Sequence, residues 1–285
     1  MSDPQSVNPS LLSFAVVAAF VTTAGTLFGH YLKEAILAKS FESWKQRRSL
    51  DTLYRKYRDP IVLSAVELAN RLNEVCNEHP AEFLALGVLS CTAPKPSHSS
   101  ERDLYYFHYK CQSTIYRLSA FLGWLELYRQ DLVFLDVSES KTNTELQTLL
   151  NAIREDLADG TLNSANDWPT WSDALIFREE QRAVGEAMIA NVNGIRTVMG
   201  YGTFVAMFED TLSTGSRWFQ VVTNFLIDPG TEKDFRLVRY QKLVIHLVDL
   251  VRALDRKRLP EQLGTAADRY MKEDKSGKKR LQKLA

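Results

Sequence analysis

The residues best suited to chemistry form a charged run at positions 178–186, REEQRAVGE. On a helix, Glu179, Arg182 and Glu186 fall on one face, and Arg182 can pair with Glu186. If that face is buried, we expect a ligand pocket or an ion network, and a raised pKa would let Glu186 act as a base. The alternative is a solvated, salt-bridged face. The candidate ligand-binding residues are Arg58, Asp59, Glu126, Glu179, Arg182 and Glu186.

Other catalytic and cofactor signatures are missing from the sequence. It contains no G-x-S-x-G nucleophile elbow, no G-x-G-x-x-G and no P-loop. The Cys–His pairs, Cys76 with His79 and His108 with Cys111, match no zinc-finger spacing. We therefore predict neither a metal nor a cofactor.

The element that must position everything else is an apolar stretch near the N-terminus. No formally charged side chain lies between Pro4 and Leu32, and a bilayer core requires about 20 apolar residues in a helix. A cleaved signal peptide would need a positive N-terminal region, which is missing here. An interfacial helix would need a charged face, and a buried core helix is usually shorter. We therefore predict a transmembrane helix over residues 11–32.

The charges that flank this stretch predict its orientation. Residues 33–58 carry eight Lys or Arg and three Asp or Glu, whereas the segment before the span has only Asp3. By the positive-inside rule, residues 1–10 lie outside the cell membrane and the rest of the chain is cytoplasmic. Three cysteines without a C-x-x-C motif agree with a reducing compartment. The basic flanks favour anionic lipid headgroups as partners and make nucleic acid unlikely.

Small residues share one face of the predicted span. They recur at spacings of four, three and four, and the last two form a G-x-x-x-G motif that lets two helix backbones approach closely. We therefore expect a homo-oligomer that self-associates through this face. The residues are Ala18, Thr22, Gly25 and Gly29.

The remaining chain predicts an all-α fold. A basic amphipathic stalk helix over 33–58 continues the span, a cytoplasmic helical bundle covers 59–259, and a basic flexible tail covers 260–285. Asp59-Pro60 should end the stalk and cap the first bundle helix. No convincing strand pattern occurs, and 191–202 reads as a loop–helix junction. The expected buried stripe of the first bundle helix is Ile61, Ala65, Leu68, Ala69, Leu72 and Val75. That of the last long helix is Leu237, Tyr240, Val244, Leu247, Val248, Val251 and Leu254.

Four short motifs carry a family resemblance. They are Tyr57-Arg58-Asp59-Pro60, Gly123-Trp124-Leu125-Glu126, Glu180-Gln181-Arg182-Ala183 with Gly185-Glu186, and Gly200-Tyr201 with Phe204. Together they resemble an uncharacterised family of membrane-anchored helical proteins, over roughly residues 50–255. The resemblance implies a coherent domain and carries no activity with it.

Two functions from different classes remain open. The first is a membrane-anchored helical scaffold, sensor or effector without enzymatic activity, which self-associates and binds a cytoplasmic protein or small ligand. The second is a membrane-tethered enzyme with a charged pocket around the helix that contains Glu180 and Glu186. A pocket with converging charged residues would favour the enzyme, whereas a closed core with a flat face would favour the module.

Overall fold

The computed structural model describes residues 48, 51–77, 84, 99–133, 141–158, 175–210, 212–227 and 235–282. The chain divides into two compact units, Met1–Thr52 and Leu53–Ala285, and the fold described here is that of the second. The predicted span, its small-residue stripe and residues 33–47 of the predicted stalk lie outside the described residues. Among the helices that are described, none has the length and apolar character needed to cross a membrane.

Eight α-helices hold 86% of the described residues, which agrees with the prediction of an all-α fold. In chain order the elements are α1 (51–77, of which 53–77 belong to the second unit), α2 (Ser99–Val133), α3 (Lys141–Ala158), α4 (Arg178–Ala187), β1 (Ile189–Val192), β2 (Ile195–Val198), α5 (Tyr201–Glu209), α6 (Thr214–Leu226), α7 (Phe235–Asp255), a 3-10 turn (Arg256–Arg258) and α8 (Glu261–Gln282).

Helix α2 is central, because it contacts α4, α5, α6 and β2. Helix α1 runs antiparallel to it. At one end the Tyr57 hydroxyl donates a hydrogen bond of 2.6 Å to Asp131, and further along Arg117 donates one of 3.2 Å to the Glu67 carbonyl. The stripe predicted for α1 is confirmed, since all six of its residues are buried.

The predicted break at Asp59-Pro60 is wrong, because both residues lie inside the continuous helix α1. Proline in a helix interior removes one backbone hydrogen bond and costs about 3 kcal/mol. Burial on both sides of the proline offsets that cost: Tyr57, Ile61 and Val62 are all in the core. Tertiary packing therefore overrides the local preference of Pro60.

Helices α3, α7 and α8 complete the bundle, with α7 in contact with both of the others. The stripe predicted for α7 is confirmed at Tyr240, Val244, Leu247, Val248 and Val251, which are buried, while Leu237 and Leu254 are partly buried. His246 on α7 lies 2.5 Å from Asp156 on α3. The hydrogen bond with Asp156 raises the pKa of His246.

The expectation of a flexible tail over 260–285 needs correction. Helix α8 occupies most of that range, and Leu263, Ala266, Ala267 and Tyr270 are buried. Their spacing of three, one and three residues is that of an amphipathic helix. The Tyr270 hydroxyl also donates a hydrogen bond of 2.9 Å to Asn73 on α1. This apolar spacing favours a packed helix, although Gly264 and the many basic residues after it suggested a flexible tail.

The structure contains a β-hairpin where the sequence predicted a loop–helix junction. Strands β1 and β2 pair antiparallel, with Ile189 opposite Val198. Asn193 and Gly194 form the turn with φ angles of 53° and 80°, and two positive φ values are what a two-residue type I′ turn requires. The base of the hairpin packs on α2, where a Cβ at Gly123 would lie 2.9 Å from the Met188 Cβ.

Helices α2 and α4 approach each other closely at Gly185. A Cβ at this position would lie 2.7 Å from the Glu126 Cβ and 2.8 Å from the Leu122 carbonyl oxygen. Neither neighbour is the far end of a flexible side chain, so neither can move away without a shift of α2. Gly185 therefore sets how near α4 lies to α2.

We predict that Gly185→Ala lowers the free energy of unfolding by about 1–3 kcal/mol, because the added methyl group forces the two helices apart. Thermal or urea unfolding of the chain in mild detergent measures the change. Gly202→Ala is the matched control, since a Cβ at Gly202 meets no atom within 4 Å. We expect the control to be neutral or to gain up to about 1 kcal/mol. Equal stability of Gly185→Ala and wild type would contradict the close approach.

Candidate functional site

Glu126 lies beneath α4 and is the most deeply buried of the predicted site residues, with 2% of its surface exposed. Its Oε2 accepts a hydrogen bond of 2.7 Å from Arg129 Nε, and its Oε1 accepts bonds of 2.5 Å from Arg129 Nη2 and 2.7 Å from Gln130 Nε2. The contact with Glu126 raises the pKa of Arg129. Both oxygens of the buried carboxylate are therefore engaged by groups on its own helix.

Gln181 attaches the N-terminal half of α4 to the end of α3. Its Nε2 donates hydrogen bonds of 3.0 Å to the Arg154 carbonyl and 2.8 Å to the Ile176 carbonyl. The Ile176 N–H donates in turn to the Leu157 carbonyl at 2.9 Å. Helix α4 begins next to these contacts, where the Glu180 carboxylate accepts a bond of 2.9 Å from the Phe177 N–H. The last turn of α3 and the first turn of α4 are thus held side by side.

A pocket opens where α2, α3 and α4 meet. Its volume is about 350 Å³, including the solvent-filled mouth. The side chains that line it are Leu122, Leu125 and Glu126 of α2, Arg154 of α3, and Arg178, Gln181 and Arg182 of α4. Among the described residues, three arginines therefore share this pocket with one carboxylate, and that carboxylate is already paired with Arg129.

The arginines of this pocket differ in how they are neutralised. Arg178 forms an exposed ion pair of 3.2 Å with Glu155. Arg154 is partly buried, and burial lowers the pKa of its guanidinium, an effect that the nearby charges of Arg182, Arg178 and Arg129 reinforce and Glu126 opposes. Arg182 is exposed. Within the described part of the chain, neither Arg154 nor Arg182 has a side-chain hydrogen bond or ion pair.

This arrangement can hold an anion, since guanidinium groups at a partly buried position favour a negatively charged ligand. Among the described residues of the pocket wall, Glu126 is the one carboxylate, and Arg129 and Gln130 hold it through three hydrogen bonds. A general base must be free to reach the substrate, so proton transfer to Glu126 would compete with these bonds.

The structure brings together only some of the predicted site residues. Glu126 and Arg182 share the pocket, while Glu179 and Glu186 are exposed on α4. Arg58 and Asp59 lie elsewhere and pair with each other at 3.0 Å, and Asp59 also contacts Arg258 at 3.2 Å. Neither is among the residues that line the pocket. The expected single cluster is therefore two separate groups of charges.

Sequence reasoning missed Arg154 altogether. It lies on α3, more than twenty residues before the run that drew attention, and nothing in its neighbourhood marks it as special. The available signal was its position beside the buried stripe of Leu150, Ile153 and Leu157, which places it at the edge of the buried face. Only the register of α3 against α4 puts it next to Arg182.

The described residues bring no three His, Cys, Asp or Glu side chains together as metal ligands. Of the Cys–His pairs considered above, Cys76, His108 and Cys111 are among the described residues, whereas His79 lies outside them.

Comparison of this chain with protein-family models, with curated proteins and with solved structures found no match. The geometry and charge of the pocket are therefore what indicate a function.

We predict that Arg154→Met stabilises the ligand-free protein by about 0.5–1 kcal/mol, the gain typical of an improved charge arrangement. Methionine keeps much of the hydrocarbon stem and removes a partly buried charge that three other arginines repel. Thermal unfolding of the chain in mild detergent measures the change. Arg256→Met serves as a control at an exposed arginine outside the pocket, and we expect it to change stability by less than about 0.5 kcal/mol. Loss of stability in Arg154→Met would show that its charge is already neutralised.

Proposed function

We propose that this chain is a helical binding module that takes up a negatively charged ligand in the arginine pocket. The observation that carries the proposal is the pair Arg154 and Arg182, which line one pocket and form no ion pair with a carboxylate of the described chain. Burying part of a charge without a partner costs free energy. An anionic ligand supplies the missing partner, and its binding free energy includes the repulsion that it relieves.

Binding is favoured over catalysis by the state of Glu126. Removing its carboxylate from Arg129 and Gln130 to accept a proton would break three hydrogen bonds at a buried position, and each bond to a charged group contributes about 1.5–3 kcal/mol. Glu186, the base suggested by the sequence, is exposed on α4 and is not among the described residues that line the pocket. These two observations support a sensor or receptor module rather than the membrane-tethered enzyme.

The sequence adds a location to this proposal. We propose that residues 11–32 anchor the chain in the cell membrane with the binding module in the cytoplasm, and that Ala18, Thr22, Gly25 and Gly29 promote self-association. A membrane fraction washed with alkaline carbonate should retain the chain, and mild detergent should release it as an oligomer. Release by carbonate alone would contradict the anchor.

Anion binding is tested by thermal unfolding of the full chain in mild detergent at fixed ionic strength. Citrate, sulfate and pyrophosphate should each replace chloride in one arm, with glycerol as the neutral probe. A ligand at 100 times its Kd stabilises the folded state by about 2.7 kcal/mol, so the Tm should rise with the concentration of at least one multivalent anion. The double variant Arg154→Met/Arg182→Met should lose that increase, and Arg256→Met should keep it. An equal increase in the double variant would contradict the proposal.

A further inference from the structure

The residues that line the pocket differ in character from one helix to the next. Charged guanidinium groups come from α3 and α4, while Leu122 and Leu125 of α2 supply apolar surface. We infer that its ligand is the monoester phosphate of a small organic molecule, with the phosphate at the arginines and the organic group against the leucines. This inference rests on the proposed function, because it names the class of anion that the same pocket binds.

The number of arginines without an ion pair points to a doubly charged group. Arg154 and Arg182 have no carboxylate partner in the described structure, while Arg178 is shared with Glu155. A phosphate monoester carries a charge of about −1.5 to −2 at pH 7. A carboxylate or a phosphate diester carries a single negative charge and would neutralise only one of the two arginines. Charge matching therefore favours the monoester.

The placement of the arginines suits the shape of a phosphate group. Arg178 and Arg182 are four residues apart on α4, so they share one face of that helix. Arg154 comes from α3, which is a different helix. Guanidinium groups bind phosphate oxygens through paired, parallel hydrogen bonds. Side chains from two helices can thus contact different oxygens of the same tetrahedral group.

Gln181 is a second, independent indication of a ligand. Its side chain lines the pocket and is 4% exposed, yet its Oε1 has no donor within the described structure. Buried side-chain oxygens of this kind are normally hydrogen-bonded. A hydroxyl of the ligand, or water held by it, would supply the donor. Arginine alone would accept any anion, whereas this acceptor favours a ligand that also carries a donor.

The pocket is partly open to water, which limits how much of a ligand it can enclose. The figure of about 350 Å³ includes open solvent at the mouth, and Leu122 and Leu125 are only 3% and 2% exposed. The arginines can therefore contact a phosphate group, while the apolar surface beside them suits only a compact organic group.

The test compares phenyl phosphate with methyl phenyl phosphate, the diester of nearly the same size but one charge fewer. Isothermal titration calorimetry uses the full chain in mild detergent at pH 7.5 and fixed ionic strength. We expect the monoester to bind at least about tenfold more tightly, since one hydrogen bond to a charged group contributes about 1.5–3 kcal/mol and 1.4 kcal/mol is tenfold in Kd. Equal affinity for the two esters would overturn the inference.

Two variants connect the binding to this pocket. Arg154→Met should weaken phenyl phosphate at least about tenfold, and Arg256→Met should leave the Kd unchanged. Glu155→Gln should strengthen binding severalfold, because it releases Arg178 from its ion pair with Glu155. A residue with a purely structural role would not tighten binding when an exposed neighbour is altered. Unchanged affinity in Arg154→Met, or weaker binding in Glu155→Gln, would overturn the inference.

The remaining outcomes separate this inference from the proposed function. If citrate or sulfate binds in an Arg154-dependent way and no monoester does, the pocket binds anions and the monoester assignment is wrong. If a phosphoserine peptide binds far more tightly than phenyl phosphate or inorganic phosphate, the ligand is a protein segment and the small-molecule inference is wrong. If no anion binds at all, both proposals are wrong.

Discussion

The contact between α2 and α4 at Gly185 is the constraint on which the pocket depends. With a hydrogen in place of a side chain, α4 lies against the Leu122 carbonyl and the Glu126 side chain. Arg182 and Arg178 come three and seven residues before Gly185 on α4, so this contact fixes how far both arginines lie from α2. If residue 185 had a larger side chain, the two helices would separate, and the arginines would move away from Glu126. Gly123 has the equivalent role one turn earlier on α2, where it contacts Met188.

The burial of Glu126 determines what the surrounding arginines can do. A buried carboxylate is strongly destabilising unless it is paired and hydrogen-bonded, and Arg129 and Gln130 meet that need from the same helix. Because these two residues hold Glu126, neither Arg154 nor Arg182 forms an ion pair with it. The pocket therefore keeps an excess of positive charge that costs stability in the ligand-free protein, as functional sites often do. A site built only for stability would place one more carboxylate here.

Several parts of the fold were predictable because a helix with one apolar face has a clear period. The stripes of α1 and α7 follow that period over four turns or more, and burial confirms them. The break at Pro60 was a local rule that packing of Tyr57 and Ile61 overrides. The hairpin was predictable in principle, because Asn193-Gly194 between β-branched residues is a strong turn signal, but its strands of four residues are too short for a period to stand out.

The site was less predictable, because its residues come from three helices, and no local sequence pattern indicates how those helices align with one another. Charge spacing on α4 identified Arg182, but it could not show that Glu179 points to solvent or that Arg58 belongs to another cluster. The resemblance motifs did contain useful information: Gly123, Glu126, Gln181 and Gly185 meet at the α2–α4 contact and the pocket. Their common feature is a tertiary contact, so their role could be understood only after the helices were placed.

What keeps Arg154 in the pocket is the turn of α3 that carries it. The carbonyl of Arg154 accepts a hydrogen bond from Gln181, and the carbonyl of Leu157 accepts one from the Ile176 N–H. On the other side, the Asp156 carboxylate contacts His246, and the Asp156 carbonyl accepts a bond of 2.7 Å from Arg239. These contacts hold the backbone from two sides, through α4 and through α7. These bonds oppose any rotation of the helix that would carry the guanidinium away from Arg182. A repulsive charge that the backbone holds in place is preorganised for an anion, since little ordering is required when the ligand binds.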